Sequence, residues 1–218
     1  MSFTLHFHVI IILEQYTFWG GMNMASVVSN PILISVPETF ESNRLIIRSP
    51  LWGDGAMVNE AVKESMEELR RWMNWAQQIP TIEESEIIAR QGRINFLDRS
   101  DLKLYLLLKE TGQFIGSSGL HRIDWEARKF EIGYWVHTMY SGQGFITEAV
   151  ESITNYAVNE LQANRVEIRC DSRNIRSINV AERSGFTMEG TIRNEKCDIE
   201  GKLCDTVLFS KVRGIEFG

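Results

Sequence analysis

Apolar positions change period along the chain, and the changes divide it into elements. Arg44-Leu45-Ile46-Ile47-Arg48 is a short apolar run between two arginines and predicts a first strand. Gly53-Asp54-Gly55 breaks it. Asp54 stands where a helix cap belongs, ahead of a helical pattern that reaches Ser65 and continues to Ala76 with Leu69, Trp72 and Trp75 three apart. Pro80-Thr81 opens another helix, reaching about Leu97, and Thr81 with Glu84 makes a capping box.

The spacing then becomes that of strands. Leu104 to Leu108 suits a buried strand, Glu110-Thr111-Gly112 is turn chemistry, and Gln113 to Leu120 completes a hairpin. Asp124 to Arg128 reads as a loop, and Lys129 to His137 as a third strand. Phe145, Ala149, Ile153, Ala157 and Leu161 then form one helical stripe. Val166, Ile168 and Cys170 alternate with Arg165, Glu167 and Arg169, the mark of a half-buried strand. Ile175 to Arg183 predicts a short helix stopped by Gly185. Phe186 to Lys196 and Leu203 to Val212 form a closing antiparallel pair around Gly201. The fold class is α/β or α+β, a mixed sheet with helices packed on it.

Composition narrows the partners. A chain of 218 residues with 44% hydrophobic residues supports one cored domain. Its net charge of -6 disfavours nucleic acid as main partner and suits a cationic acceptor. Cys170, Cys197 and Cys204 are odd in number and widely spaced, which argues against a disulfide framework or zinc knuckle and for a reduced, cytoplasmic setting. Residues 1–30 differ from the rest. The apolar run Leu5 to Leu13 is too short to span a membrane, and no Lys or Arg precedes Arg44 to make a secretory n-region. It reads as an added strand or as an upstream extension, with Met22 or Met24 as the start. His6 and His8 sit at strand spacing without an evident third metal ligand.

Between the third strand and the striped helix lies Ser141-Gly142-Gln143-Gly144. A glycine-rich turn that opens a helix directs backbone N–H groups and the positive end of the helix dipole at one place, a phosphate cradle. The nucleotide P-loop needs Lys and Ser/Thr after its last glycine, whereas Phe145 follows Gly144. The dinucleotide fingerprint needs a third glycine where Thr147 stands, and repeated βαβ units where a meander stands.

Glu131-Ile132-Gly133-Tyr134-Trp135-Val136, the glycine loop and Thr147-Glu148-Ala149 resemble the acetyl-CoA-binding core of the GNAT N-acetyltransferase superfamily. Asn174-Ile175-Arg176-Ser177 resembles its N-x-x-S element, and Ala181 to Phe186 with Glu189-Gly190 resembles the helix and strand that follow. Arg44 to Arg48 resembles the start of the RimJ/RimL branch, which acetylates ribosomal-protein N-termini. The likeness runs from about Arg44 to Val212, in a domain taken as 31–218. It implies a GNAT fold with a mostly antiparallel central sheet flanked by helices. It also implies acetyl-CoA as co-substrate and an amine acceptor, either a protein N-terminus or a small molecule. A non-catalytic acyl-CoA-binding module is the other class. A homodimer is compatible with the chain, which carries no interface signature.

By this resemblance Trp135, Val136, Ser141, Gly142, Gln143, Gly144, Phe145, Ile146, Thr147, Asn174 and Ser177 hold the cofactor. A backbone N–H near Val136 would polarise the thioester carbonyl, and Glu131 would act as base through water. Ser177 would serve the leaving thiolate. Asn174 would contact the pantetheine or cap its helix. Three residues depart from the pattern. Ser141 replaces the usual Gln or Arg, Ile146 a small residue, and Lys196 the Glu to which RimL-type catalysis has been assigned. Glu195, beside it, serves only if a bulge corrects the register. Trp72, Met73 and Trp75 read first as core, with a ring against the acceptor's apolar stem as the alternative. His121 reads as a strand residue or an acceptor-site group, and Cys170 as a small core residue.

Overall fold

The computed structural model describes residues 30–218, so the expectations for Leu5 to Leu13, His6, His8, Met22 and Met24 lie outside it. A single sheet carries the fold. Its strands are β1 (Thr39–Glu41), β2 (Leu45–Arg48), β3 (Leu102–Leu108), β4 (Phe114–Asp124), β5 (Lys129–Val136), β6 (Arg165–Asp171), β7 (Thr187–Cys197) and β8 (Leu203–Val212). Their order is β1-β2-β3-β4-β5-β6-β8-β7, and every neighbouring pair is antiparallel except β5–β6. The helices are α1 (Gly55–Trp72), α2 (Ile82–Asp98), α3 (Phe145–Asn159) and α4 (Ile175–Arg183). Among the described residues no helix is long and apolar enough to cross a membrane.

Both faces of the sheet are covered, which is why β3 reads as a nearly continuous apolar run. Leu102, Leu104 and Leu106 belong to the core that includes α3, whose stripe of Phe145, Ala149, Ile153 and Ala157 is buried throughout. Tyr105 and Leu107 belong to the second core with Val58, Val62, Met66 and Leu69 of α1. Each such side chain contributes roughly 1.5–3 kcal/mol when buried.

The local signals at the helix ends divide. The α2 capping box forms as expected: Thr81 Oγ1 accepts from Glu84 N at 3.1 Å, and Glu84 Oε2 accepts from Thr81 N at 2.7 Å. Asp54 precedes α1 but makes no side-chain cap, because Arg48 holds both its oxygens at 2.7 and 2.8 Å and Leu51 N donates at 2.6 Å. Glu86 of α2 does the capping instead, accepting from Gly53 N and Gly55 N at 2.9 Å each. The helices cross so closely there that a Cβ on Gly55 would lie 2.5 Å from Glu86 Cα.

Two further differences bear on the site. The helical pattern through Ala76 ends early: α1 stops at Trp72, Met73 turns extended, and Trp75 falls in the connection to α2. The closing pair forms as expected, but β8 inserts between β6 and β7. The edge strand β1 was not anticipated, since three residues are too few to show a period.

Candidate active site

The parallel ladder between β5 and β6 is short. It joins Lys129 to Arg165, Phe130 to Val166 and Glu131 to Glu167, and then stops while both strands continue. The strands splay beyond that point. On the other edge of β5, His137 N donates to Ile115 O at 2.8 Å. Antiparallel bonding alternates along a strand, so the N–H of Val136 lies on the edge facing the splay.

The glycine loop sits beyond the wide end of the splay and is held from both sides. His137 is buried. Its Nδ1 accepts from Met139 N, which leaves Nε2 to donate to Glu64 of α1 at 2.8 Å, and Thr138 N donates to Ser65 Oγ at 2.9 Å. On the other side Arg44 bonds Glu148 Oε2 at 2.6 Å and Gln143 O at 3.2 Å, and lies over the Phe145 ring. Gly142 and Gly144 have φ of 76° and 80°, a region that side chains oppose. Gly144 caps α3 without any side-chain hydrogen bond, so the first N–H groups of the helix point outward unserved by a capping side chain.

Glu148 is the acidic group nearest this cradle in sequence. Burial opposes its ionisation, but Ser42, the Arg44 main chain and the Arg44 guanidinium hold its carboxyl below the ordinary range. Arg44 therefore offsets a negative charge that would repel phosphate. Its sequence signal was only the strand arginine of the R-L-I-I-R run.

A cavity of about 610 Å³ opens at the splay, between the sheet and the α1–α2 connection. It brings together Trp135, Asn174 and Ser177 of the expected cofactor residues. Val136, the loop from Ser141 to Thr147, and Glu131 do not line it. The loop is a separate surface station. Ile146 is buried in the core with α3, so its bulk never faces the loop. Gln143 turns its amide back to Met139 O at 2.9 Å, and Ser141 is half-exposed.

Ser177 is held in place by Tyr134 of β5. Tyr134 Oη lies 2.9 Å from Ser177 Oγ and donates toward Ser177 O at 3.1 Å. Burial pushes the Tyr134 phenol well above its ordinary range, so it stays protonated. Tyr134 was visible only as a strand residue of the resemblance. Asn174 caps α4, its Oδ1 accepting from Ser177 N at 3.1 Å. Cys170 lines the cavity nearby, with its thiol pushed up to about 11 by burial.

Glu131 pairs with His121 across the β4–β5 ladder, and His121, Gly133 and Trp135 line the cavity. Its side chain therefore lies on the same sheet face, one pleat beyond the cavity. Burial raises its carboxyl above the ordinary range, although Arg122 at 3.3 Å and Arg169 at 4.0 Å pull the other way. Arg169 also binds Glu195. The irregularity that Glu195 required does occur, between Ile192 and Lys196. Yet Lys196 lines the cavity, while Glu195 is spent on Arg169. Trp72, Met73 and Trp75 line the cavity as well, and Trp75 is 53% exposed, so this group is a cavity wall.

A splayed β5–β6 pair with an uncapped glycine turn at its open end defines an acyltransferase of the GNAT type. Residues 44–187 match the acetyltransferase (GNAT) domain, and the chain belongs to that family. YdaF of Bacillus subtilis (strain 168), provisionally named a ribosomal N-acetyltransferase, is 31% identical over 161 residues, covering 73% of this chain and 86% of the relative. The ribosomal-protein-serine acetyltransferase of Escherichia coli (strain K12) is 30% identical over 125 residues, 57% of this chain and 69% of that one. Among solved structures, the microcin C7 self-immunity acetyltransferase MccE, in complex with acetyl-CoA and AMP, superposes with a TM-score of 0.74 at 23% identity, covering 81% of this chain and 97% of that chain. RimL, a ribosomal L7/L12 α-N-protein acetyltransferase in complex with coenzyme A, gives 0.73 at 19%, with the same coverage. At such identities the two structures show the shared fold.

Proposed function

We propose that this chain binds acetyl-CoA and transfers its acetyl group to the α-amine of a protein N-terminus, in the manner of the ribosomal-protein enzymes it resembles. A cytoplasmic location suits that substrate. The observation that carries the reading is the parting of β5 from β6 after Glu131–Glu167, with the unserved N-terminus of α3 at its open end.

Gly142, Gly144 and the first turn of α3 hold the pyrophosphate through backbone N–H groups. The pantetheine arm enters the splay past Asn174, and Val136 N–H receives the thioester oxygen. The acceptor amine enters from the face that carries Glu131 and Trp135. Its nitrogen bonds the carbonyl carbon, the carbon–sulfur bond breaks, and the electron pair leaves on sulfur. Glu131 takes the amine proton through water. Ser177, ordered by the Tyr134 phenol, gives a hydrogen bond to the thiolate from the opposite face of β5.

The demand on the base is modest. An α-amine has a pKa of about 7.7–8.0 against about 10.4 for lysine, so deprotonating lysine would cost about 3.5 kcal/mol more. Acetyl-CoA turnover over a panel of N-terminal peptides and small amines tests the reading. Peptide turnover is expected. Turnover of small amines alone would move the acceptor class, and CoA binding without turnover on any acceptor would leave a binding module.

A further inference from the structure

The cavity does not end at the α1–α2 connection. A second depression of about 360 Å³ continues it along the inner side of α2, and the two share Ile88, Lys103 and His121. A ligand longer than the first cavity leaves it past Lys103. The lysine stem runs beneath α2 because residue 92 is glycine: a Cβ there would meet Lys103 Cδ at 3.0 Å and Pro50 Cγ at 3.2 Å.

The charges around this path are mostly spoken for. Arg169 is held by Glu195, and Asp171 by Arg173 at 2.9 Å. Asp101 is felt by Lys103, but its Oδ2 is taken by His121 Nδ1 at 2.6 Å. Among the described residues Lys103 has no hydrogen-bond or ion-pair partner, and burial holds its ammonium below the ordinary range. Lys196 is, among the described residues, the other cation on the wall without a carboxylate in contact. Its charge is felt by Cys170 and Asp171 and it does not line the second depression, whereas Lys103 lines both. A half-buried ammonium without a partner costs stability that an incoming anion offsets. On a chain of net charge -6, a local cation is also what admits an acidic ligand.

We infer that Lys103 recognises a carboxylate carried a short way behind the acceptor amine, so that the preferred substrate is an N-terminus with Asp or Glu among its first residues. The inference rests on the amine-acetylating reading above. An extended peptide advances about 3.3 Å per residue, so the carboxylate follows the amine by few residues.

The test compares peptides beginning Ser-Glu and Ser-Gln, together with matched small amines that carry or lack a carboxylate, in the wild type, Lys103→Met and Lys103→Arg. Acetyl-CoA turnover and calorimetric peptide binding in the presence of CoA are both measured. Wild type is expected to favour the Glu peptide about tenfold in KM, the scale of one charge-assisted hydrogen bond. Lys103→Met brings the ratio to near one, and Lys103→Arg keeps part of it. Equal KM values in the wild type, or a preference that survives Lys103→Met, overturn the role of Lys103 while acetylation stands. Preference confined to the carboxylated small amine, and lost in Lys103→Met, keeps the carboxylate site but overturns its peptide source. Lys103-dependent binding of the Glu peptide without any turnover keeps the site while the catalytic reading fails.

Discussion

Glu131 stands under opposed influences, burial raising its carboxyl and two arginines lowering it, with burial ahead. As the proposed base it would work only when ionised. The rate is therefore expected to rise with pH as Glu131 loses its proton, with this acid limb higher than an exposed glutamate would set it. Glu131→Gln is expected to lower kcat by about 10²-fold or more and to flatten that limb, with the far-UV spectrum unchanged. A rate unchanged across pH 6–9 would remove Glu131 from the mechanism. Arg44 yields a second expectation. Arg44→Ala leaves the Glu148 carboxylate uncompensated beside the proposed phosphate cradle, and CoA should bind roughly five- to tenfold more weakly, the scale of about 1 kcal/mol. Adding Glu148→Gln should recover much of that loss in calorimetry. Neither residue of this pair was marked as a site from sequence, because their partnership spans 104 positions.

Among the elements, α1 depends on α2 for its start. Glu86 serves two N–H groups at the head of α1, and Gly55 lets the backbones touch. Gly55→Ala should therefore destabilise by about 1–3 kcal/mol through overpacking, read as a lower urea midpoint at unchanged slope. The capping box of α2 was legible because Thr81 and Glu84 are three residues apart and answer each other. The cap of α1 was not, because Asp54 had a stronger partner in Arg48 and the true cap came from another helix. At the far edge, Arg165 clamps Glu189 with bonds of 2.7 and 2.6 Å, and Ser210 adds a third. These contacts hold Glu189 down to about 2 from its ordinary 4.5. A depressed carboxyl stabilises above its unfolded pKa and loses that contribution as pH falls through the folded value. The stability linked to β6, β7 and β8 should thus drain between pH 4.5 and about 2. Arg165→Gln should remove this component from thermal melts taken across that range.

At the scale of the molecule, the meander, the glycine loop and the α3 stripe were all readable, since each is a local pattern. The parting of β5 from β6 was not readable from spacing. It came only with the resemblance, because it depends on where a parallel ladder stops. The fate of Trp75 was misread for a related reason: helical spacing gives no sign that the helix ends three residues earlier. A ligand that fills the splay should stabilise the whole fold. CoA at about 100 times its Kd should add about 2.7 kcal/mol, or roughly 5–10 °C in melting temperature for a chain of this size. Glu131→Gln should keep this shift, which separates binding from chemistry.

The order of the strands also bears on how the molecule is made. Strands β1 to β5 pair with their neighbours in the order of the chain, so this half of the sheet can assemble as a nascent chain emerges. The other half cannot. β8 is the last strand in sequence, yet it lies between β6 and β7 and is the antiparallel partner of both. Until Leu203 to Val212 have cleared the ribosome, β6 lacks its antiparallel partner and β7 has none. One wall of the splay is then unsupported, so the acetyltransferase acquires its site only when strand β8 arrives.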